Sequence, residues 1–157
     1  MYNYDYGDDF ARLSQKKKWY QVLLQFLLWI WQLPQNLIGF ILSAYIRDNG
    51  GQRYAYCLKI KGKTRKVRFV HLKSFRGSVT LGEYIIIGGE WDESDVRHEY
   101  GHVLQSRMLG WLYLVVIGIS SLLHAGLHDK SCAKDKEYSH FWTEKWAEKL
   151  GGNYDKV

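Results

Sequence analysis

The amino-acid sequence predicts an α+β fold, with a small antiparallel sheet lying between an apolar helical region at the start of the chain and two helices that carry chemistry near its end. Three observations lead there. Residues 54–60 and 65–72 interleave basic and apolar side chains in the pattern of half-buried strands. His98-Glu99-Tyr100-Gly101-His102 lies in a proline-free run from Val96 to Met108 with helix signals at both ends. Two stretches, Trp19 to Ile46 and Met108 to Leu127, hold no acidic or basic residue other than histidine. A length of 157 residues fits one domain, with residues 1–48 as an N-terminal apolar helical region and residues 49–157 as the region that holds the polar motifs.

The first apolar stretch follows Lys16-Lys17-Lys18 and precedes Arg47. Its length permits a membrane span, and Trp19, Tyr20 and Tyr45 stand where interface anchors stand. Pro34-Gln35-Asn36 divides it, which suits a helical hairpin buried under the sheet or dipped into one leaflet. Tyr54–Ile60 and Arg65–Leu72 read as a hairpin across Lys61-Gly62-Lys63-Thr64, and Ser78–Thr80 and Glu83–Ile87 add strand character. Gly88-Gly89 ends the strands, Ser94 or Asp95 is placed to cap the next helix, and Gly110 to close it. Gly118 and Ser120-Ser121 split the second apolar stretch into two short halves, again suiting a hairpin. Ser139 to Gly152 reads as a last helix.

Composition bounds the function. The net charge of +6 comes largely from the three lysines and from Lys59 to Lys73. No nucleic-acid motif accompanies it, so a solvated sheet face or an anionic membrane surface is the expected partner rather than nucleic acid. Cys57 and Cys132 have no metal-type spacing, which fits bystander thiols in a reducing compartment. The acidic, tyrosine-rich opening and the lack of a small-residue cleavage site leave no secretory signal evident. The expected location is the cytoplasm or a membrane facing it.

The H-E-x-x-H pentapeptide carries the chemistry. Positions i and i+4 lie one above the other on a helix, so His98 and His102 can converge on one zinc ion while Glu99 faces a zinc-bound water. The third ligand must come from elsewhere. Gln105 and Met108 occupy the positions where a metzincin has glycine and histidine, which excludes that class. A glutamate from a second helix remains, and Glu144, with Glu148 one turn on, is the candidate; His124, His128 and His140 are chemically plausible rivals.

His98-Glu99-x-x-His102 followed by Glu144-x-x-Ala147-Glu148-x-x-Gly151 resembles the gluzincin pattern of the CAAX-prenyl-protease and HtpX-type membrane zinc endopeptidases and of the minigluzincins. The resemblance runs from about Leu81 to Gly152 and makes residues 49–157 a zincin-like catalytic region. It implies that His98, His102 and Glu144 hold zinc, that Glu99 is the general base, and that Glu148 supports a ligand imidazole from behind. The family has aspartate where this chain has Glu148. The resemblance also implies an edge strand beside the zinc helix that binds an extended peptide, a place the strand at Glu83–Ile87 is positioned to take. No motif assigns the oxyanion donor; His140, one turn before Glu144, is the first candidate, with Tyr138, His124 and His128 nearby.

The expected activity is therefore that of a zinc-dependent metalloendopeptidase acting on a peptide or protein substrate. The alternative is a non-catalytic zinc-binding or regulatory module with a protease-like fold, and a third reading is a small membrane-associated protein without metal. A single membrane crossing at Met108–Leu127 would put His102 and Glu144 on opposite sides of the bilayer, so that stretch must double back if both are ligands.

Overall fold

The computed structural model describes residues 18–119 and 142–152. Helices α1 (Trp19–Trp31) and α2 (Leu33–Asp48) are followed by β1 (Gln52–Ile60), β2 (Lys63–Leu72), β3 (Ser78–Leu81) and β4 (Tyr84–Gly88). Helix α3 (Glu93–Leu109) leads into a short 3-10 turn, Gly110–Leu112, and a π-helical turn, Leu114–Ile119. Helix α4 (Trp142–Gly151) comes last. The class is α+β, as the sequence predicts.

The hairpin β1–β2 closes on Lys61-Gly62 alone, pairing Ile60 with Lys63. Both turn residues have positive φ, 48° and 73°, the left-handed turn whose twist matches that of the flanking strands. The sheet as a whole is mixed rather than antiparallel. Its order is β1-β2-β4-β3, and β4 runs parallel to β2. The cause is burial on two faces. Ile85 and Ile87 point into the core shared with α3, and Ile86 points into the core shared with α2, so β4 needs cover on both sides and takes an interior position. The β3–β4 hairpin therefore inserts with β4 against β2, and β3, shorter and partly polar, is left at the edge. The strand expected at Glu83–Ile87 to offer a free edge is thus an interior one; the edge strand beside the H-E-x-x-H helix is Ser78–Leu81.

Leu58, Val67, Phe69, Ile85 and Ile87 meet Val96, Tyr100 and Val103 of α3 in the larger core. Ile46 of α2 packs on Val70 and Ile86 on the opposite face. Asp92, rather than Ser94 or Asp95, caps α3: its carboxylate accepts from the backbone N–H of Ser94 at 2.7 Å and of Asp95 at 3.2 Å, while Asp95 accepts in return from the Asp92 N–H at 2.8 Å. Such a reciprocal cap satisfies N–H groups that the first turn leaves unpaired. Gly110 ends the helix at φ 57°, and the aromatic ring of Trp31 lies where a side chain there would go.

Helix α4 lies against α3 at backbone contact. A Cβ built on Gly101 would sit 2.0 Å from the carbonyl oxygen of Ala147, and one on Gly151 would sit 2.1 Å from that of Arg97. Gly101, midway along α3, and Gly151, at the end of α4, let the axes approach closely enough for short side chains to meet. Helix α1, by contrast, buries no residue, and α2 turns away from it by 90°.

Replacing Gly101 by alanine sets two effects against each other: alanine favours the helix by about 1 kcal/mol, while its methyl overlaps the Ala147 carbonyl. The overlap wins, and Gly101→Ala is expected to lower stability by about 1–3 kcal/mol, read from urea unfolding, whereas Gly62→Ala, with open space around it but a φ of 73°, should lose only the smaller backbone term.

Candidate metal centre

The close crossing of α3 and α4 sets the site. His98 and His102, one turn apart on α3, turn their Nε2 atoms toward each other at 3.2 Å. Glu144 enters from the first turn of α4 and brings Oε2 to 3.0 Å from His98 Nε2 and 3.2 Å from His102 Nε2. These atoms make a nearly equilateral triangle. Two ligand atoms held about 2.0–2.1 Å from a tetrahedral zinc are about 3.3 Å apart, so the donors stand at the spacing one ion requires. His98, His102 and Glu144 form a group that can hold a metal ion. Two imidazole nitrogens and one carboxylate oxygen are a donor set suited to zinc.

The support around the group is largely polar and buried. His102 Nδ1 donates to Oε1 of Gln105 at 2.7 Å, and Gln105 Nε2 donates to the carbonyl of Thr143 at 2.7 Å. This chain ties both helices to the imidazole and fixes its Nδ1–H, which leaves Nε2 as the atom that faces Glu144. Glu148 was expected in that supporting place. It is half-buried on α4, and among the described residues it makes no hydrogen bond to either imidazole; Gln105, three residues after His102, holds the position on the same helix.

Glu99 is 6% exposed and turns toward β3, not toward solvent. Thr80 donates its hydroxyl to Glu99 Oε2 at 2.6 Å, with a longer contact of 3.2 Å to the Glu99 carbonyl, and Tyr113 donates to the Thr80 carbonyl at 3.1 Å. Burial pushes the Glu99 carboxyl above the ordinary 4.5, against the pull of His102, Thr80 and His98. Burial acts against the charged form of Glu144 too, yet hydrogen bonds and charge from His102 and His98 outweigh it and hold this carboxyl well below the usual range. For His102 burial is again the opposing effect, and the hydrogen bond to Glu144 with the charges of Glu99 and Glu144 raises its pKa above 6.5.

Thr80 and Gln105 went unmarked as partners in the sequence. Gln105 has a positional signal, one turn after a candidate ligand imidazole; Thr80 has none, since only sheet order brings it beside Glu99. His140, the first candidate for the oxyanion donor, lies outside the described residues, as do His124, His128 and Tyr138.

Two outcomes follow. Gln105→Ala should weaken zinc binding about 10–100-fold, measured by competition with a chromophoric chelator, because His102 loses the partner that orients it; Glu148→Ala should change affinity far less. The second concerns pH. The raised His102 contributes stability that is full below pH 6.5 and lost as pH rises through its folded pKa, and the depressed Glu144 contributes stability that is full above pH 4.5 and lost as pH falls through its own. The metal-free protein should therefore exceed a Glu144→Gln variant in thermal midpoint most between pH 4.5 and 6.5. Zinc requires neutral His102, so its added stabilisation should grow as pH rises out of that window.

No protein-family model, curated protein or solved structure matches this chain, so the resemblance to gluzincins rests on the motif residues alone.

Proposed function

We propose that the protein is a zinc metallopeptidase of gluzincin type that hydrolyses peptide bonds. The observation that carries this reading is the convergence of His98 Nε2, His102 Nε2 and Glu144 Oε2 on one point, with the buried carboxylate of Glu99 on the same stretch of α3. Zinc, when bound, supplies Lewis acidity toward water and toward a substrate carbonyl. Glu99 takes the proton of the attacking water and delivers it to the leaving amine. Its burial suits that role, because a carboxylate whose pKa is raised above the ordinary 4.5 is a stronger proton acceptor than a solvated one. Thr80 keeps one carboxylate oxygen engaged and so orients the other. His98, whose side chain is 25% exposed against 10% for His102, marks the side from which solvent reaches the group.

The substrate reading has its own support in the sheet. β3 is an edge strand, and its Thr80 touches the proposed base. An extended peptide added to that edge by backbone pairing lies alongside the helix that carries Glu99. The third ligand and its positioning helix also make demands that a decorative surface motif does not, since Glu144 is 4% exposed and surrounded by partners.

Glu99→Gln should bind zinc as the wild type does and lose peptidase activity by about 100-fold or more, since the amide fits the space but accepts no proton; the assay is hydrolysis of a quenched fluorescent peptide library with zinc content measured in parallel. His98→Ala should lose the metal. Activity of Glu99→Gln at the wild-type level removes Glu99 as the base, and a zinc-loaded wild type that cleaves no peptide points to the non-catalytic module instead.

A further inference from the structure

The metal group leaves most of the apolar surface of the molecule unexplained. Helix α1 exposes Trp19, Val22, Leu23, Leu24, Phe26 and Leu27 at between 47% and 77%. Because neighbours in sequence point 100° apart on a helix, this run covers about 200° of the circumference of α1, and every residue from Trp19 to Leu27 is exposed. The outward side of α2 adds Leu37, Phe40 and Ile41 at 46%, 55% and 66%, and the turns after α3 add Trp111 and Val115 at 56% and 55%.

What covers such a surface can be argued from its shape. A second protein chain buries one stripe of a helix, about 100° wide or somewhat more, and would leave the rest of α1 wet. Lipid surrounds a helix on several sides. The polar residues within α1 are glutamines alone, and charge appears just outside, at Lys18 and Arg47, both exposed. Trp19 and Tyr20 stand at one end of the pair and Tyr45 near the other. Basic residues flanked by interfacial aromatics match the headgroup region of an anionic bilayer.

Crossing is a different matter. No single described helix is long and apolar enough to span a membrane, and the α1–α2 pair passes only as a broken span bent by 90°. With 13 residues, α1 rises about 20 Å, against a hydrocarbon core of about 30 Å. The bend is also pinned to the protein. Gln32, Gln35 and Asn36 are fully buried there. Gln35 Nε2 donates to Ser106 Oγ at 3.1 Å and to the Gly110 carbonyl at 2.6 Å, and Asn36 Oδ1 accepts from the Glu83 N–H at 2.8 Å. Straightening the pair into a span would strip these groups of partners.

We propose that α1 and the outward face of α2, joined by the turns at Trp111 and Val115, seat in one leaflet of an anionic lipid bilayer without crossing it. The end of α3 is then at the lipid boundary, and His102 stands six residues, about 9 Å of helix rise, from Met108. The seating rests on apolar side chains and is independent of the metal.

The test uses the purified full-length chain and sucrose-loaded vesicles of phosphatidylcholine alone or mixed with phosphatidylglycerol. The protein should sediment with both and more completely with the anionic mixture, and brominated acyl chains should quench its tryptophan fluorescence. A Leu23→Glu/Leu27→Glu variant changes only exposed positions; it should keep its zinc content and partition at least about tenfold less. Zinc content separates the two readings: vesicle binding with no zinc refutes the metal proposal alone. A chain that stays in the supernatant as a monomer, its apolar face covered by its own segment 120–141, overturns the lipid proposal. So does a detergent-free dimer that ignores vesicles, or a double variant that binds them as well as the wild type.

Discussion

The backbone contact between α3 and α4 is the constraint on which the site depends. A carboxylate side chain of glutamate reaches only a few ångströms, so Glu144 meets both imidazoles only if the helix that bears it comes unusually near. Gly101 and Gly151 remove the side chains that would hold the axes apart, and Ala147 presents its carbonyl where a larger neighbour would stand. The x-x of the H-E-x-x-H motif is therefore not neutral here. Gly101 decides the distance at which the second helix packs, and that distance decides whether two histidines and a glutamate form one group.

Bringing these groups together has an electrostatic cost that the local bonding answers. Glu99 and Glu144 are both nearly excluded from solvent, at 6% and 4% exposure, and the charge of Glu144 raises the cost of ionising Glu99 while the two imidazoles lower it. Buried carboxylates persist when hydrogen bonds and opposite charge replace their hydration. Thr80 serves Glu99, the two imidazoles serve Glu144, and Gln105 passes the constraint on to the backbone of α4. The two carboxylates are pushed in opposite directions: hydrogen bonds and charge from the imidazoles favour the ionised form of Glu144, and burial pushes Glu99 toward its neutral form. The roles proposed for them, metal ligand and general base, would call for that difference.

A second polar seam joins the apolar helices to this body. Arg107 grips Glu83 through two bonds of 2.7 and 2.6 Å, and Gln32 reaches the same carboxylate at 3.2 Å. The β3–β4 turn is thus fastened at once to the end of α3 and to the bend between α1 and α2. Gly82, at φ 65°, lets Asn36 approach that turn, since a Cβ there would lie 2.0 Å from its Oδ1. The same turn positions Thr80 two residues before it, so the seam that orients the apolar helices also registers β3 against Glu99.

The linear order of residues determined the local elements and marked the candidate members of the metal group, with three histidines left as rivals to Glu144. Alternation and turn chemistry marked the β1–β2 hairpin, helical spacing marked His98 and His102, and a like-charged pair on a short amphipathic helix marked Glu144, because each signal lies within a few residues of itself. Sheet order was not legible in that way. Whether β4 or β3 takes the edge depends on how much apolar surface α2 and α3 together offer to cover, a sum over elements far apart in the chain, and it made the sheet mixed and moved the edge from Glu83–Ile87 to Ser78–Leu81. The same holds for the partners of the site. Gln105 rather than Glu148 supports His102, because the fit of α4 on α3 at Gly101 turns Gln105 toward both the imidazole and the Thr143 carbonyl, and Thr80 reaches Glu99 only because β3 lies at that edge. Residue types and periods chose the chemistry; the packing of backbone against backbone chose which neighbours hold it in place.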